Sequence, residues 1–98
     1  MKVSFSESAI TDLEDIKSYY LKQNIPEVGI KFIKEIFDHI DTLITHPDIG
    51  RTVPEFNETH IRELIHPPFR IVYLRNSNSI QIVRVWRSER LLQLPEKV

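Results

Sequence analysis

Residues 60–87 read HIRELIHPPFRIVYLRNSNSIQIVRVWR, and this segment sets the class of fold. Apolar and polar side chains alternate with a period of two residues over 60–66, 69–75 and 79–87, which predicts three β-strands. The strands are separated by a Pro-Pro pair and by Asn-Ser-Asn, and both sequences favour turns. The second half of the chain is therefore predicted to consist of strands joined by short turns.

The N-terminal half has the spacing of helices. Residues 2–5 alternate as a short strand, and Ser6 or Ser8 then offers a hydroxyl that can cap a helix. From there, apolar side chains recur at intervals of three and four residues, which predicts a helix over residues 7–23. We interpret the acidic side chains of this helix as a solvated face; they are Asp12, Glu14 and Asp15.

A second helix is predicted to begin near Pro26, because proline fits the first turn of a helix, where its missing amide costs nothing. It ends at His46-Pro47, since the residue before a proline disfavours helical geometry. The connection of about three residues makes the two helices an antiparallel hairpin. Residues 46–59 are predicted to be a loop. The element order is therefore β-α-α-β-β-β, an α+β arrangement in a single domain over residues 1–98.

The predicted sheet is apolar on both faces. On the strand 69–75, one face carries Phe69, Ile71 and Tyr73, and the other carries Arg70, Val72 and Leu74. On the strand 79–87, Ile80, Ile82, Arg84 and Trp86 alternate with Gln81, Val83, Val85 and Arg87. Two helices cover one face only, so the other is predicted to be an exposed apolar surface that carries arginines, as is typical of an interface. The alternative is that the C-terminal tail folds back and covers this face.

Composition narrows the class of protein. The absence of cysteine excludes disulfides, zinc–thiolate sites and cysteine nucleophiles. No signal-peptide run or membrane-spanning apolar stretch is present, so we expect a cytoplasmic protein without a membrane partner.

Residues 1–50 hold five lysines and nine acidic residues (net −4), and residues 51–98 hold seven arginines, one lysine and five acidic residues (net +3). Arginine suits phosphate and carboxylate recognition, which places the functional surface in the second half, although a pI near 6.4 is too low for a general nucleic-acid binder.

The spacing of the histidines argues against a metal site. His60 and His66 would share a strand face but lie roughly 20 Å apart, at about 3.3 Å per residue. His39 and His46 would lie about 10 Å apart, at about 1.5 Å per residue of helix. Neither pair can share one ion unaided. We therefore predict solvated histidines, no metal and no cofactor.

Six segments are distributed over nearly the whole chain. They are Ala9-x-x-Asp12-Leu13-x-x-Ile16, His46-Pro47-Asp48-Ile49-Gly50-Arg51, Val53-Pro54-Glu55, Arg62-Glu63-Leu64, Phe69-Arg70-Ile71-Val72-Tyr73 and Ile82-Val83-Arg84-Val85-Trp86-Arg87. In this order and spacing they resemble the RelE/ParE toxins of type II toxin–antitoxin systems. The resemblance implies an antiparallel helical hairpin packed on one face of a mainly antiparallel four-stranded sheet. It also implies a cognate antitoxin, bound in a dimer or a heterotetramer, and one of two actions: cleavage of mRNA in the ribosome or poisoning of DNA gyrase.

The resemblance also identifies candidate residues. Arg70 matches an arginine that the ribonuclease members carry on the open sheet face, and Arg87 and Arg90 supply part of their basic cluster after the last strand. Arg70 and Arg87 are therefore the candidate catalytic residues of a ribonuclease. The chain lacks the aromatic or His-Tyr ending of those members, and residues 60–64 replace their lysine-rich strand. These departures favour a gyrase poison; the alternatives are a RelE-type endoribonuclease and an inactive relic that only binds antitoxin.

An antitoxin or target is expected on the arginine-bearing surface. The predicted partner-binding residues are Arg70, Val72, Leu74, Arg84, Trp86, Arg87, Arg90, Leu91 and Leu92. For Arg70 the alternative is a salt bridge to Glu63 on the adjacent strand, and for Trp86 it is a place in the core. Two further arginines are interpreted as structural, paired with Glu55 or with loop carbonyls; they are Arg51 and Arg62.

Overall fold

The computed structural model describes residues 1–88. Its elements are β1 (Lys2–Phe5), α1 (Glu7–Lys22), α2 (Pro26–Thr45), β2 (Arg51–Thr52), β3 (Ile61–His66), β4 (Phe69–Arg75) and β5 (Ser79–Arg87). The strands form one sheet in the order β1-β5-β4-β3-β2, parallel between β1 and β5 and antiparallel elsewhere. The α+β class, the helical hairpin and the mainly antiparallel sheet are confirmed.

The sheet has five strands rather than the predicted four. The additional strand, β2, lies inside the segment 46–59 that was expected to be a loop throughout. It pairs with β3 through Arg51 opposite Glu63 and Thr52 opposite Arg62. Two residues are too few to show a period of two, so no alternation in the sequence could reveal this strand.

Ser6 ties the start of α1 to the sheet. Its hydroxyl accepts a hydrogen bond from the amide of Ala9 at 3.0 Å, so Ser6, and not Ser8, is the helix cap. The same hydroxyl donates to the carbonyl oxygen of Val83 at 3.0 Å, and the amide of Ser6 donates to the carbonyl of Ile82 at 2.9 Å. The helix therefore begins where β1 ends and runs beside the continuing edge of β5.

The helical hairpin turns within three residues. Asn24 has a φ of 63°, a left-handed conformation that asparagine adopts more readily than most residues, and Pro26 opens α2 as predicted. Gly29 lets the two helices approach closely, since a Cβ there would lie 3.1 Å from Cβ of Tyr20. No helix within residues 1–88 combines the length and the apolar character needed to cross a membrane.

The core lies between the hairpin and one face of the sheet. Both helices present their apolar stripes to that face, and every core position of β4 lies on it. The buried cluster consists of Ala9, Leu13, Ile16, Tyr20, Ile36, Ile40, Leu43, Leu64, Phe69, Ile71, Tyr73, Ile80, Ile82 and Val85. Burying a large apolar side chain contributes about 1.5–3 kcal/mol, so this single layer is the main source of stability.

β5 changes face at Val83. Tyr73 of β4 pairs with Ile82, whereas the preceding residue, Val72, pairs with Arg84, so Val83 is inserted as a β-bulge. As a result, the side chains that face the helices are Ile80, Ile82, Val85 and Arg87, and those on the opposite face are Gln81, Arg84 and Trp86. The predicted alternation of this strand is wrong, because it assumed a regular strand across the bulge.

The loop after α2 is attached to the helix-facing side of the sheet. The hydroxyl of Tyr73 donates to the carbonyl of Pro47 at 2.9 Å and accepts from the amide of Gly50 at 3.0 Å. Nη1 of Arg62 donates to the carbonyl oxygens of Gly50 at 2.9 Å and of Asp48 at 3.4 Å. The prediction that Arg62 binds loop carbonyls is confirmed.

Candidate functional site

The face of the sheet opposite the helices, called the open face below, carries most of the predicted partner-binding residues. Across β3, β4 and β5, the side chains form three rows: Ile65-Arg70-Trp86, Glu63-Val72-Arg84 and Ile61-Leu74-Gln81. Charged side chains therefore occur in two of the three rows: Arg70 stands between two apolar side chains, and Glu63 and Arg84 flank Val72. Their contacts decide which of them remains available to another molecule.

Arg70 is a buried arginine at the centre of a set of ion pairs. Its Nε donates to Oε1 of Glu63 at 2.5 Å, and its two terminal nitrogens donate to the two carboxylate oxygens of Glu55 at 2.9 Å each. The side chain of Arg70 is only 8% exposed. The hydrogen bonds that Arg70 donates to Glu55 raise the pKa of Arg70 above its ordinary value, although burial acts in the opposite direction. All three nitrogens of the guanidinium are thus bound to carboxylates of the same chain.

Glu63 joins a second arginine to this set. Its Oε2 accepts from Nε of Arg51 at 2.7 Å, and its side chain has no exposed surface. The hydrogen bonds from Arg70 lower the pKa of Glu55. Arg51 is thus structural as predicted, but it is hydrogen-bonded to Glu63 instead of Glu55. We call Arg51, Glu55, Glu63 and Arg70 the Glu–Arg network.

The apolar residues of the open face differ in exposure. Val72 lies between Glu63 and Arg84 in its row and is 5% exposed, so the prediction that it is left without cover is wrong. Leu74 and Trp86 are half-buried, and Ile65 is 41% exposed. The accessible apolar surface on this face is therefore smaller than the sequence alternation predicts.

Arg84 is held by a carboxylate from α1. Its Nε and Nη2 donate to the two oxygens of Asp12 at 2.8 and 2.9 Å, and these hydrogen bonds raise the pKa of Arg84. The guanidinium carbon also lies 4.4 Å from the ring centroid of Trp86. Arg84 therefore positions Trp86 and does not carry an uncompensated charge.

Asp12 ties the first half of α1 to this edge of the sheet. β1 ends at Phe5, opposite Ile82, which leaves the next residues of β5 without a strand neighbour on that side. A carboxylate oxygen of Asp12 accepts from the amide of Val85 there at 2.9 Å. Asp12 is 7% exposed, so the prediction that it is solvated is wrong, whereas Glu14 and Asp15 are exposed as expected.

Arg87 lies on the other face of the sheet from Arg70. It pairs with Phe69 of the core, and its Nη1 donates to the hydroxyl of Tyr20 at 3.2 Å. Its guanidinium carbon lies 5.6 Å from the ring centroids of both Tyr19 and Phe69. The two residues matched to the catalytic arginines of the ribonucleases are therefore not brought together. Arg90, Leu91 and Leu92 lie outside the described residues.

Two histidines form a contact that the sequence analysis missed. Nδ1 of His39 on α2 lies 3.0 Å from Nδ1 of His66 on β3, and both residues are half-buried. The prediction of solvated histidines is wrong for these two, because their contact joins a helix to a strand and no spacing within one element can show it. Within residues 1–88, no group of three or more His, Cys, Asp or Glu side chains is placed to hold a metal ion.

Comparison with known proteins agrees with the resemblance noted in the sequence. The family described as "ParE toxin of type II toxin-antitoxin system, parDE" matches residues 3–92. A solved structure, "Chromosomal ParDE TA system from P. aeruginosa", matches with a TM-score of 0.74 and 25% sequence identity, covering 89% of this chain and 95% of that one. A search of the curated proteins gave no match. The chain belongs to the ParE toxin family of type II toxin–antitoxin systems.

Proposed function

We propose that this ParE-family toxin arrests growth by poisoning DNA gyrase and is neutralised by a cognate antitoxin. ParE toxins pair with ParD antitoxins, and both the family match and the structural match are to parDE systems. The proposed site of action is the cytoplasm, where gyrase acts. The RelE-type ribonuclease remains the alternative, and the two differ in what they require of Arg70.

The observation that carries the proposal is the Glu–Arg network. RNA cleavage requires a cation that stabilises the developing phosphate charge, together with a general base and a general acid. Arg70 already binds two carboxylates, and these would repel a phosphate brought to the same place. Arg87, the other candidate, faces the helices. This arrangement favours a toxin that acts by binding a protein over one that cleaves RNA.

The same contacts determine what an antitoxin must supply on the open face. Arg70 is compensated by Glu55 and Glu63, and Arg84 is compensated by Asp12. An antitoxin segment that covers this face therefore gains mainly from apolar contact, at roughly 25 cal/mol per Å² of buried apolar area less the cost of ordering. The proposed contact residues with accessible apolar surface are Leu74 and Trp86, together with Ile65, which lies on the other side of Arg70 from Trp86.

Leu74→Asp is expected to weaken antitoxin binding at least about tenfold, because an unpaired carboxylate would be buried against the partner. Lys31→Asp, on the exposed surface of α2, is the matched control and is expected to leave the affinity nearly unchanged. Calorimetry with the purified antitoxin, on variants shown to be folded by circular dichroism, measures both. Equal affinities for the two variants would place the antitoxin elsewhere.

Expression in cells separates the proposed function from its alternatives. Induced alone, the protein should stop growth and cause DNA double-strand breaks, and co-expression of the antitoxin should restore growth. Normal growth at high soluble expression would instead support an inactive relic. Cuts at codon positions in ribosome-bound mRNA would support the ribonuclease.

A further inference from the structure

The pair formed by His39 and His66 connects α2 to the sheet at the border of the core. The two Nδ1 atoms are 3.0 Å apart and the ring centroids 5.2 Å apart, so the nitrogens lie close to the line that joins the rings. This head-on geometry is that of an N–H···N hydrogen bond. His66 stands opposite Phe69, which is fully buried, so the bond lies directly beside the packed interior.

Such a bond depends on the number of protons that the two rings carry. When both rings are neutral, one must carry its proton on Nδ1 and the other on Nε2. One added proton can enter the far nitrogen of the donor ring, which keeps the bond and strengthens it. A second added proton must enter the accepting Nδ1. Two N–H groups and two positive charges then face each other at hydrogen-bond distance.

The surrounding groups indicate which ring accepts. Oε1 of Glu35 lies 3.7 Å from Nε2 of His66, so this carboxylate stabilises a positive charge on His66. The pKa of His39 is lowered, first by burial and second by the charge of His66. Both effects favour His66 as the donor of the hydrogen bond and His39 as the acceptor.

Other charged groups near the pair are already engaged or lie further across the sheet. On α2, Asp38 is paired with Lys34 at 3.2 Å. On β5, Arg87 stands opposite Phe69, the neighbour of His66 on β4. Among the described residues, His66 is the one charged group that shifts the pKa of His39.

We propose that His39 and His66 form a proton-operated latch that holds α2 against β3 near neutral pH and releases it when both rings are charged. Because the pKa of His39 is lower in the folded protein than in the unfolded chain, the folded state binds fewer protons below the ordinary histidine value of about 6.5. The contribution of the latch to stability is therefore complete above that pH. It is lost as the pH falls through the lowered pKa of His39. The latch does not depend on the proposed target of the toxin.

The titration of the imidazole rings, followed by NMR on the full chain, tests the latch. The midpoint of His39 should lie below the ordinary histidine value of about 6.5, and His66→Asn should raise it towards that value. A His39 midpoint at or above the ordinary value, or one that His66→Asn leaves unchanged, would overturn the proposal.

If His66→Asn does not fold, the pH dependence of the free energy of unfolding tests the proposal instead. Wild type and the control His60→Asn should lose the same free energy of unfolding between pH 7.5 and pH 5. His39→Asn, which cannot accept the second proton, should lose less. Equal losses in all three proteins would show that no proton-dependent contact exists between α2 and β3.

Discussion

Glu63→Leu is expected to lower the free energy of unfolding by about 3 kcal/mol, because it removes one of the two carboxylates that compensate the buried Arg70 and leaves its Nε without a partner. Glu63 has no exposed side-chain surface and accepts hydrogen bonds from both Arg51 and Arg70. Arg51 is 58% exposed and can turn to water, but Arg70 is 8% exposed and cannot. The loss therefore falls mainly on Arg70, which keeps Glu55 as its remaining carboxylate. Urea unfolding measures the change.

A double-mutant cycle separates this interaction from simple loss of packing. Arg70→Met alone should also destabilise, because it leaves the buried carboxylate of Glu63 with only Arg51. The double variant Glu63→Leu/Arg70→Met should be more stable than the sum of the two single losses predicts, since apolar replacement of a whole buried pair is often neutral. Glu58→Ala, at an exposed glutamate of the preceding loop, is the control and should change stability by less than about 0.5 kcal/mol. If the double variant loses as much free energy of unfolding as the two single variants together, the Glu–Arg network is not coupled.

Gly50→Ala is expected to cost about 3–5 kcal/mol, the sum of overpacking and the loss of a buried hydrogen bond. A Cβ at this position would lie 2.5 Å from the hydroxyl oxygen of Tyr73 and 2.7 Å from the carbonyl oxygen of Glu63. The carbonyl belongs to the backbone of β3 and cannot move without disturbing the sheet. The hydroxyl is fixed by its bonds to Pro47 and to the amide of Gly50 itself. The substitution therefore detaches the loop that follows α2.

The matched control is the other glycine of the chain. A Cβ at Gly29 would meet its nearest neighbour, Cβ of Tyr20, at 3.1 Å. The crowding is offset by the helix propensity that alanine gains over glycine, about 1 kcal/mol inside a helix. Thermal unfolding should place Gly50→Ala at least about 12 °C below wild type and Gly29→Ala within about 6 °C of it. A Gly50→Ala protein as stable as Gly29→Ala would show that the contact with Tyr73 is not tight.

The sequence predicted the elements of this fold well and their pairing poorly. The spacing of apolar residues and the capping residues predicted the bounds of both helices and of four strands to within one or two residues, because these signals are local in the sequence. The bulge at Val83 left no such signal, since a run of apolar residues continues across it. Asp12 was misplaced for a related reason. Its partners, Arg84 and the amide of Val85, become its neighbours only when α1 passes the end of β1.

The candidate site shows the same division. The sequence left two interpretations of Arg70 open, a contact with another molecule or a salt bridge to Glu63. The salt bridge is what the structure contains, strengthened by Glu55 from the loop before β3, which spacing along strands cannot place. The pairing of His39 with His66 likewise joins two residues that are 27 positions apart in the chain and lie on different elements. Local periodicity therefore identified the open face, but it did not identify the carboxylates that neutralise the arginines on that face.

Gyrase supercoiling by purified components, with ribosome-bound mRNA assayed in parallel, tests the proposed target most directly. The wild-type protein should inhibit supercoiling and leave the mRNA intact. Glu63→Leu/Arg70→Met, the variant expected to keep the fold without Arg70, should retain the inhibition. Unimpaired supercoiling together with codon-positioned mRNA cuts that this double variant no longer makes would contradict the proposal and assign Arg70 to catalysis.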